Sequence, residues 1–239
     1  MPTEEDSKTP MEVENTKWEA IFQEHENTIE FIEASHEYYY YPQGKEHPES
    51  RIKMDTSVTS ITNPVERKYR NPSDGLDWLD TSANIGSSAD KVVRDFFMGI
   101  DITARKYPNF THEQLQQLAK DLKNFKLFLD KKFAGTKYKV VTNSFALVGK
   151  ITKYNGDTQT VGGTLDILIY DEDGFYYIYD IKTSRNDLNG KDKLSNYTSQ
   201  VNMYREMLEA MHPELRGCCG GLGILQLNTF YATPKGLPY

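Results

Sequence analysis

Between residues 112 and 133 apolar side chains recur every third or fourth position, at Leu115, Leu118, Leu122, Phe125, Leu129 and Phe133. That spacing predicts an amphipathic helix whose stripe is core and whose lysines, among them Lys120, Lys123, Lys126, Lys131 and Lys132, are mostly solvated. A second helix is predicted to open at Gly86, with Ala89, Val92, Val93, Phe96 and Phe97 on one face, and the composition of 193–211 suggests a third. After Gly135 the pattern changes to apolar, β-branched and aromatic runs over 138–148, 151–154, 158–170 and 175–183, followed by a further run over 222–227. Asp171-Glu172-Asp173-Gly174 is a turn signal between two of these runs, so they read as a β-hairpin. Strands, helix and strand in that order imply an α/β fold in which a central mixed β-sheet is flanked by helices.

The N-terminal part is less regular. Residues 28–41 look strand-like, and Pro42, Gly44 and Pro48 mark a loop after them. Strand alternation would bury two of Tyr38, Tyr39, Tyr40 and Tyr41; with His36 they are also candidates for stacking on bases, although ordinary packing is the simpler account. The hydroxyls of Ser57-Val58-Thr59-Ser60 suit a helix cap better than a phosphate contact. Residues 63–80 read as a long loop in which Arg67, Lys68 and Arg70 either meet phosphates or are solvated.

Composition narrows the class. With 239 residues, 38% of them hydrophobic, the chain can bury a sizeable core. No run approaches the roughly 20 apolar residues of a membrane span, and the N-terminus is unlike a signal peptide, so an intracellular protein with no membrane partner is expected. Cys218 and Cys219 are too few for a disulfide framework, a zinc site or an iron–sulfur cluster. The net charge of −7 is unevenly spread: residues 1–37 carry eleven acids against Lys8 and Lys17, which leaves the rest at +2. Residues 1–27 therefore read as an acidic, partly disordered leader and 28–239 as one domain.

The candidate chemistry sits in the predicted hairpin. Asp166 ends one run, and Asp180 and Lys182 end the next. Residues two apart on a strand share a face, so Asp180 and Lys182 point the same way, with the carbonyl of Ile181 between them. Such charges among apolar neighbours must pair, bind a cation or face a cleft. Two carboxylates and a carbonyl suit Mg2+ or Mn2+, and a nearby lysine can orient a nucleophile or offset charge developing on a phosphate. A solvated Asp–Lys pair is the plain alternative. Gln200 and Tyr204, four apart in a helical segment, share a face, and Asp90 falls beside the apolar stripe of the helix at Gly86.

The order of these motifs resembles the RecB-type branch of the PD-(D/E)XK nuclease superfamily. The resemblance runs from about Ser57 to Tyr231 and rests on the helix at Gly86, G-x-x-D at Asp166, D-x-K at Asp180 and Lys182, and Q-x-x-x-Y at Gln200 and Tyr204. It implies a restriction-endonuclease-like core, with Asp166, Asp180 and Lys182 catalytic. Asp90, Asp166, Asp180 and the Ile181 carbonyl would be around the metal, and Thr183, Ser184, Gln200 and Tyr204 would be beside the DNA. The family helix usually carries a histidine where Asp90 stands; a carboxylate can take that role, or Asp90 is an exposed acid in a first helical turn. The glutamate that many relatives carry on the preceding strand is missing from Val141-Thr142-Asn143-Ser144-Phe145. The resemblance implies exonuclease or end-processing action on DNA in replication, recombination or repair, with a replication or recombination protein as a candidate partner. A non-catalytic DNA-binding or assembly protein and an RNA substrate are the alternatives.

Overall fold

The turn at Asp171-Glu172-Asp173-Gly174 closes as its sequence requires. Gly174 takes a positive φ of 87°, and the Asp171 carboxylate accepts from the Phe175 backbone N–H at 2.9 Å. The computed structural model describes residues 16–62, 76–142, 145–152, 155–183 and 191–227. Among these are five α-helices and ten strands. Helix α1 (Thr16–Thr28) leads into a hairpin of β1 (Ile29–Ile32) and β2 (Glu37–Tyr40), then β3 (Ile52–Lys53), β4 (Thr56–Ser57) and α2 (Val58–Thr62). Two long helices, α3 (Leu76–Phe97) and α4 (His112–Lys132), precede β5 (Tyr138–Val141), β6 (Phe145–Thr152), β7 (Thr158–Leu165), β8 (Ile167–Asp171) and β9 (Tyr176–Thr183). Helix α5 (Lys191–Met211) and β10 (Cys219–Leu227) follow.

The strands form three sheets, in the orders β1-β2-β3, β4-β7-β6 and β10-β9-β8-β5. The four-stranded sheet is mixed: β9 pairs antiparallel with β8 and parallel with β10, which the chain reaches through α5. Every residue of β8 is buried because helices cover both faces of this sheet. Ile167, Ile169 and Ile181 pack with Ala89, Val92, Leu118 and Leu122 of α3 and α4. Leu168, Tyr170, Tyr176 and Ile178 pack with Trp18, Val58, Tyr204 and Leu208 of α1, α2 and α5. The α4 stripe from Leu115 to Phe133 is core as its spacing predicts, and Thr111 and Gln114 close a capping box at its start.

Several boundaries differ from the sequence reading. Part of the expected acidic leader, from Thr16, is helix α1, because Trp18 and Ile21 supply an apolar face that outweighs the acids around them. The strand expected over 28–41 is a hairpin: His36 sits at φ 54° in its turn, and apolar residues on both arms made the segment look continuous. Of the four consecutive tyrosines Tyr38 and Tyr41 are buried; Tyr41 lies just beyond β2, so strand alternation does not set its burial. Ser57 does cap α2, accepting from the Ser60 N–H at 3.3 Å. The helix expected to open at Gly86 begins ten residues earlier, at Leu76, so residues 76–80 of the expected loop are helical. Gly86 lies inside the helix, at a cost of about 1 kcal/mol relative to alanine that the flanking apolar stripe outweighs. Arg67, Lys68 and Arg70 lie outside the described residues.

Candidate functional site

Asp166 stands at the break between β7 and β8, where one strand direction serves two sheets. The register Ile167↔Tyr179 places it opposite Asp180 on the neighbouring strand, and opposed residues of an antiparallel pair present their side chains to the same face. Asp166 Oδ2 accepts from the Ile181 backbone N–H at 2.7 Å, which fixes its carboxylate beside β9. Asp180 is 1% exposed. Two residues on, Lys182 brings Nζ to 2.6 Å from Asp180 Oδ2, a close ion pair. Apart from Lys182 and the neighbouring Asp166, neither Asp180 oxygen has a hydrogen-bond partner among the described residues.

The electrostatics follow from burial. Asp166 is pushed well above the usual carboxylate range by burial, then by the charges of Asp180 and Asp90. Asp180 is raised by burial despite Lys182. Burial acts to lower Lys182, but Asp180 and Asp166 outweigh it and hold the ammonium charged. Burial pushes Asp90 up to about 6, with Lys182 pulling it down and Asp180 adding to the rise. Asp90, near the middle of α3, thus lies in the same field as the two strand acids, and the first-turn account of it falls because α3 starts at Leu76.

No three acidic, histidine or cysteine side chains among the described residues converge closely enough to cage a metal by themselves. The donors still suit an oxygen-seeking divalent ion, which binds through one or two carboxylates and keeps several waters. Asp180 has two buried oxygens short of partners, and Asp166 is directly across from it.

Helix α5 closes one side of the site. Gln200 Nε2 donates to Tyr204 Oη at 3.0 Å, and both residues are 3% exposed. Gln200 Oε1 is buried without a hydrogen-bond partner. Both are the residues expected beside the DNA, and Tyr204 presses onto β7, where a Cβ on Gly163 would come within 2.6 Å of its Cε1 and only glycine leaves room. Gly162 does the same for Tyr38, whose hydroxyl meets Thr164 Oγ1 at 2.9 Å. Thr183 ends β9 and is partly exposed, while Ser184 lies outside the described residues.

Asp90, Asp166, Asp180, Lys182 and Tyr204 are therefore brought into one electrostatic neighbourhood. Sequence reasoning named Tyr38 only among four tyrosines that pack or stack on bases and did not single out Thr164; the signal for their contact was the Gly162-Gly163 doublet inside a strand. It also missed Tyr197, which stands 5.1 Å from the Lys182 ammonium. No protein-family model matches the chain, and no curated protein matches it.

Proposed function

We propose that the chain is a Mg2+- or Mn2+-dependent deoxyribonuclease of PD-(D/E)XK type, an exonuclease or end-processing enzyme that hydrolyses phosphodiester bonds. The observation that carries this reading is Asp180, a buried carboxylate set between a second acid, Asp166, and Lys182, two residues along the strand. Asp166 and Asp180, once ionised, would hold the ion, and the Ile181 carbonyl and Asp90 are further oxygen donors nearby. Bound there, the ion supplies a water of lowered pKa and offsets charge on the phosphate. The Asp166 bond to the Ile181 N–H keeps that carboxylate on the β9 side of the site. Lys182 stays protonated and so serves as a donor to the attacking water or a phosphate oxygen, stabilising charge that develops in the transition state. Gln200 fixes the Tyr204 hydroxyl, and Tyr204 packs the helix onto the strand that carries Asp166.

A non-catalytic DNA-binding or assembly role is the second reading, favoured by the lack of a converging three-acid set among the described residues. End-labelled single- and double-stranded DNA, incubated with Mg2+, Mn2+ or EDTA beside an Asp180→Ala variant, separates the two. The nuclease reading expects metal-dependent products, with the rate in the variant down by about 10³-fold. Wild-type protein that binds DNA and cleaves none of it under either metal would transfer the assignment to the second reading. An RNA oligonucleotide in the same series tests the sugar preference.

A further inference from the structure

A lysine side chain has four rotatable bonds and a compact charge, so a single contact does little to fix where its ammonium points. At this site Lys182 Nζ meets one oxygen of Asp180, at 2.6 Å. A second constraint is present on the other side. Nζ lies 5.1 Å from the centroid of the Tyr197 ring, within the range where the negative face of an aromatic ring attracts a cation. We propose that Tyr197 is a positioning residue whose ring holds the Lys182 ammonium against Asp180, in the orientation the proposed hydrolysis needs.

The helix explains the placement. Tyr197, Gln200 and Tyr204 stand at i, i+3 and i+7, so they share one face of α5. The same face that seats Tyr204 against Gly163 beside Asp166 carries Tyr197, one and a half to two turns earlier, to Lys182. One rigid element thus touches the catalytic set at both ends, and any shift of α5 along the sheet moves both contacts together. Tyr197 is only partly buried, unlike Tyr204, so core packing alone does not account for it. The other cations found over rings, Arg51 on Tyr39 and Lys132 on Tyr177, involve none of the site residues.

This inference rests on the nuclease reading, and two readouts separate their fates. In protein labelled with 13C-lysine, the Lys182 ε-methylene protons should be shifted upfield by the ring in wild type and in Tyr197→Phe, and return to ordinary positions in Tyr197→Leu. In DNA cleavage, Tyr197→Leu should lose about tenfold in kcat with KM little changed, and Tyr197→Phe should recover most of that loss. Thermal unfolding of both variants checks that each is folded. An unshifted Lys182 in wild type, or a folded Tyr197→Leu variant with wild-type kcat, overturns the proposal. If wild-type protein cleaves nothing, the nuclease reading fails, and the lysine shift and its loss in Tyr197→Leu still decide whether Tyr197 holds Lys182.

Discussion

Asp95 and Asp180 are both nearly buried aspartates, 6% and 1% exposed, and they are treated differently by their surroundings. Asp95, near the end of α3, accepts from Tyr107 Oη at 2.7 Å and from Arg105 Nη1 at 3.2 Å, which ties the loop after α3 to the helix. Asp180 has an ion pair to Lys182 and a second acid, Asp166, beside it, and it accepts from no backbone or neutral side-chain donor among the described residues. A buried carboxylate with its partners in place holds structure together; one short of partners costs stability unless something else completes it. The cost is tolerated at Asp180, between a second acid and a lysine, which is where a metal-assisted reaction would use a buried carboxylate and where structural economy would not.

That contrast can be broken most sharply by exchanging each aspartate for asparagine. In Asp180→Asn, DNA cleavage should fall by about 10³-fold while thermal stability in EDTA holds or rises, since burial raises Asp180 despite Lys182 and the ionised carboxylate therefore costs the folded state more than the ion pair returns. In Asp95→Asn, cleavage per folded molecule should be close to wild type while stability falls by about 2–3 kcal/mol, read from urea unfolding. Equal losses of stability in the two variants would remove the distinction.

Gly163→Ala should come next in size. The added methyl would meet Tyr204 Cε1 at 2.6 Å and Val58 Cγ2 at 2.9 Å, and both belong to helices packed on the sheet. Overpacking of this kind costs about 1–3 kcal/mol, and the displaced Tyr204 should lower cleavage more than the loss of stability alone explains. Gly86→Ala is the control, because its Cβ would meet nothing and alanine favours the helix.

A second contrast is in pH dependence. His25, buried in α1 and bonded to the Ala146 carbonyl and His212, is lowered to about 3 by burial above all. Its unfolded state binds the extra proton, so the stability it contributes is present above the ordinary histidine value of 6.5 and is lost as pH falls toward about 3. Asp90 has the opposite sign: its folded form keeps the proton longer, so stability present below the ordinary aspartate value of 3.8 is lost as pH rises to about 6. In EDTA, Asp90→Asn should therefore gain stability relative to wild type as pH rises from 4 to about 6, and melting temperatures across that range will show it. A smaller effect is expected from Tyr204→Phe, about 1 kcal/mol from the lost Gln200 bond, again in urea unfolding.

The helices and the central hairpin were legible because their signals are local: a 3.6-residue stripe over α4, a turn sequence at Asp171, apolar runs in β8 and β9. The site acids were legible for a related reason, since D-x-K on a strand sets two side chains on one face without any tertiary information. Helix α1 and the true start of α3 were not. In α1, Trp18 and Ile21 are few among acids, and their value lies in contacts with Tyr170 and Tyr176 far along the chain. In α3, Gly86 reads as a boundary although the surrounding packing leaves it free to be helical. The burial of Gln200 and Tyr204 was hidden because helical spacing gives a shared face and not what that face meets.

The most direct test of whether a cation completes Asp180 is calorimetric titration of Mn2+ into the wild-type chain and into Asp180→Asn, with both stripped of metal beforehand. Saturable binding in wild type that disappears or weakens by at least about tenfold in the variant is the predicted result. Equal binding in the two, or none in wild type, would contradict it, and Asp180 would then be a buried charge held by Lys182 alone.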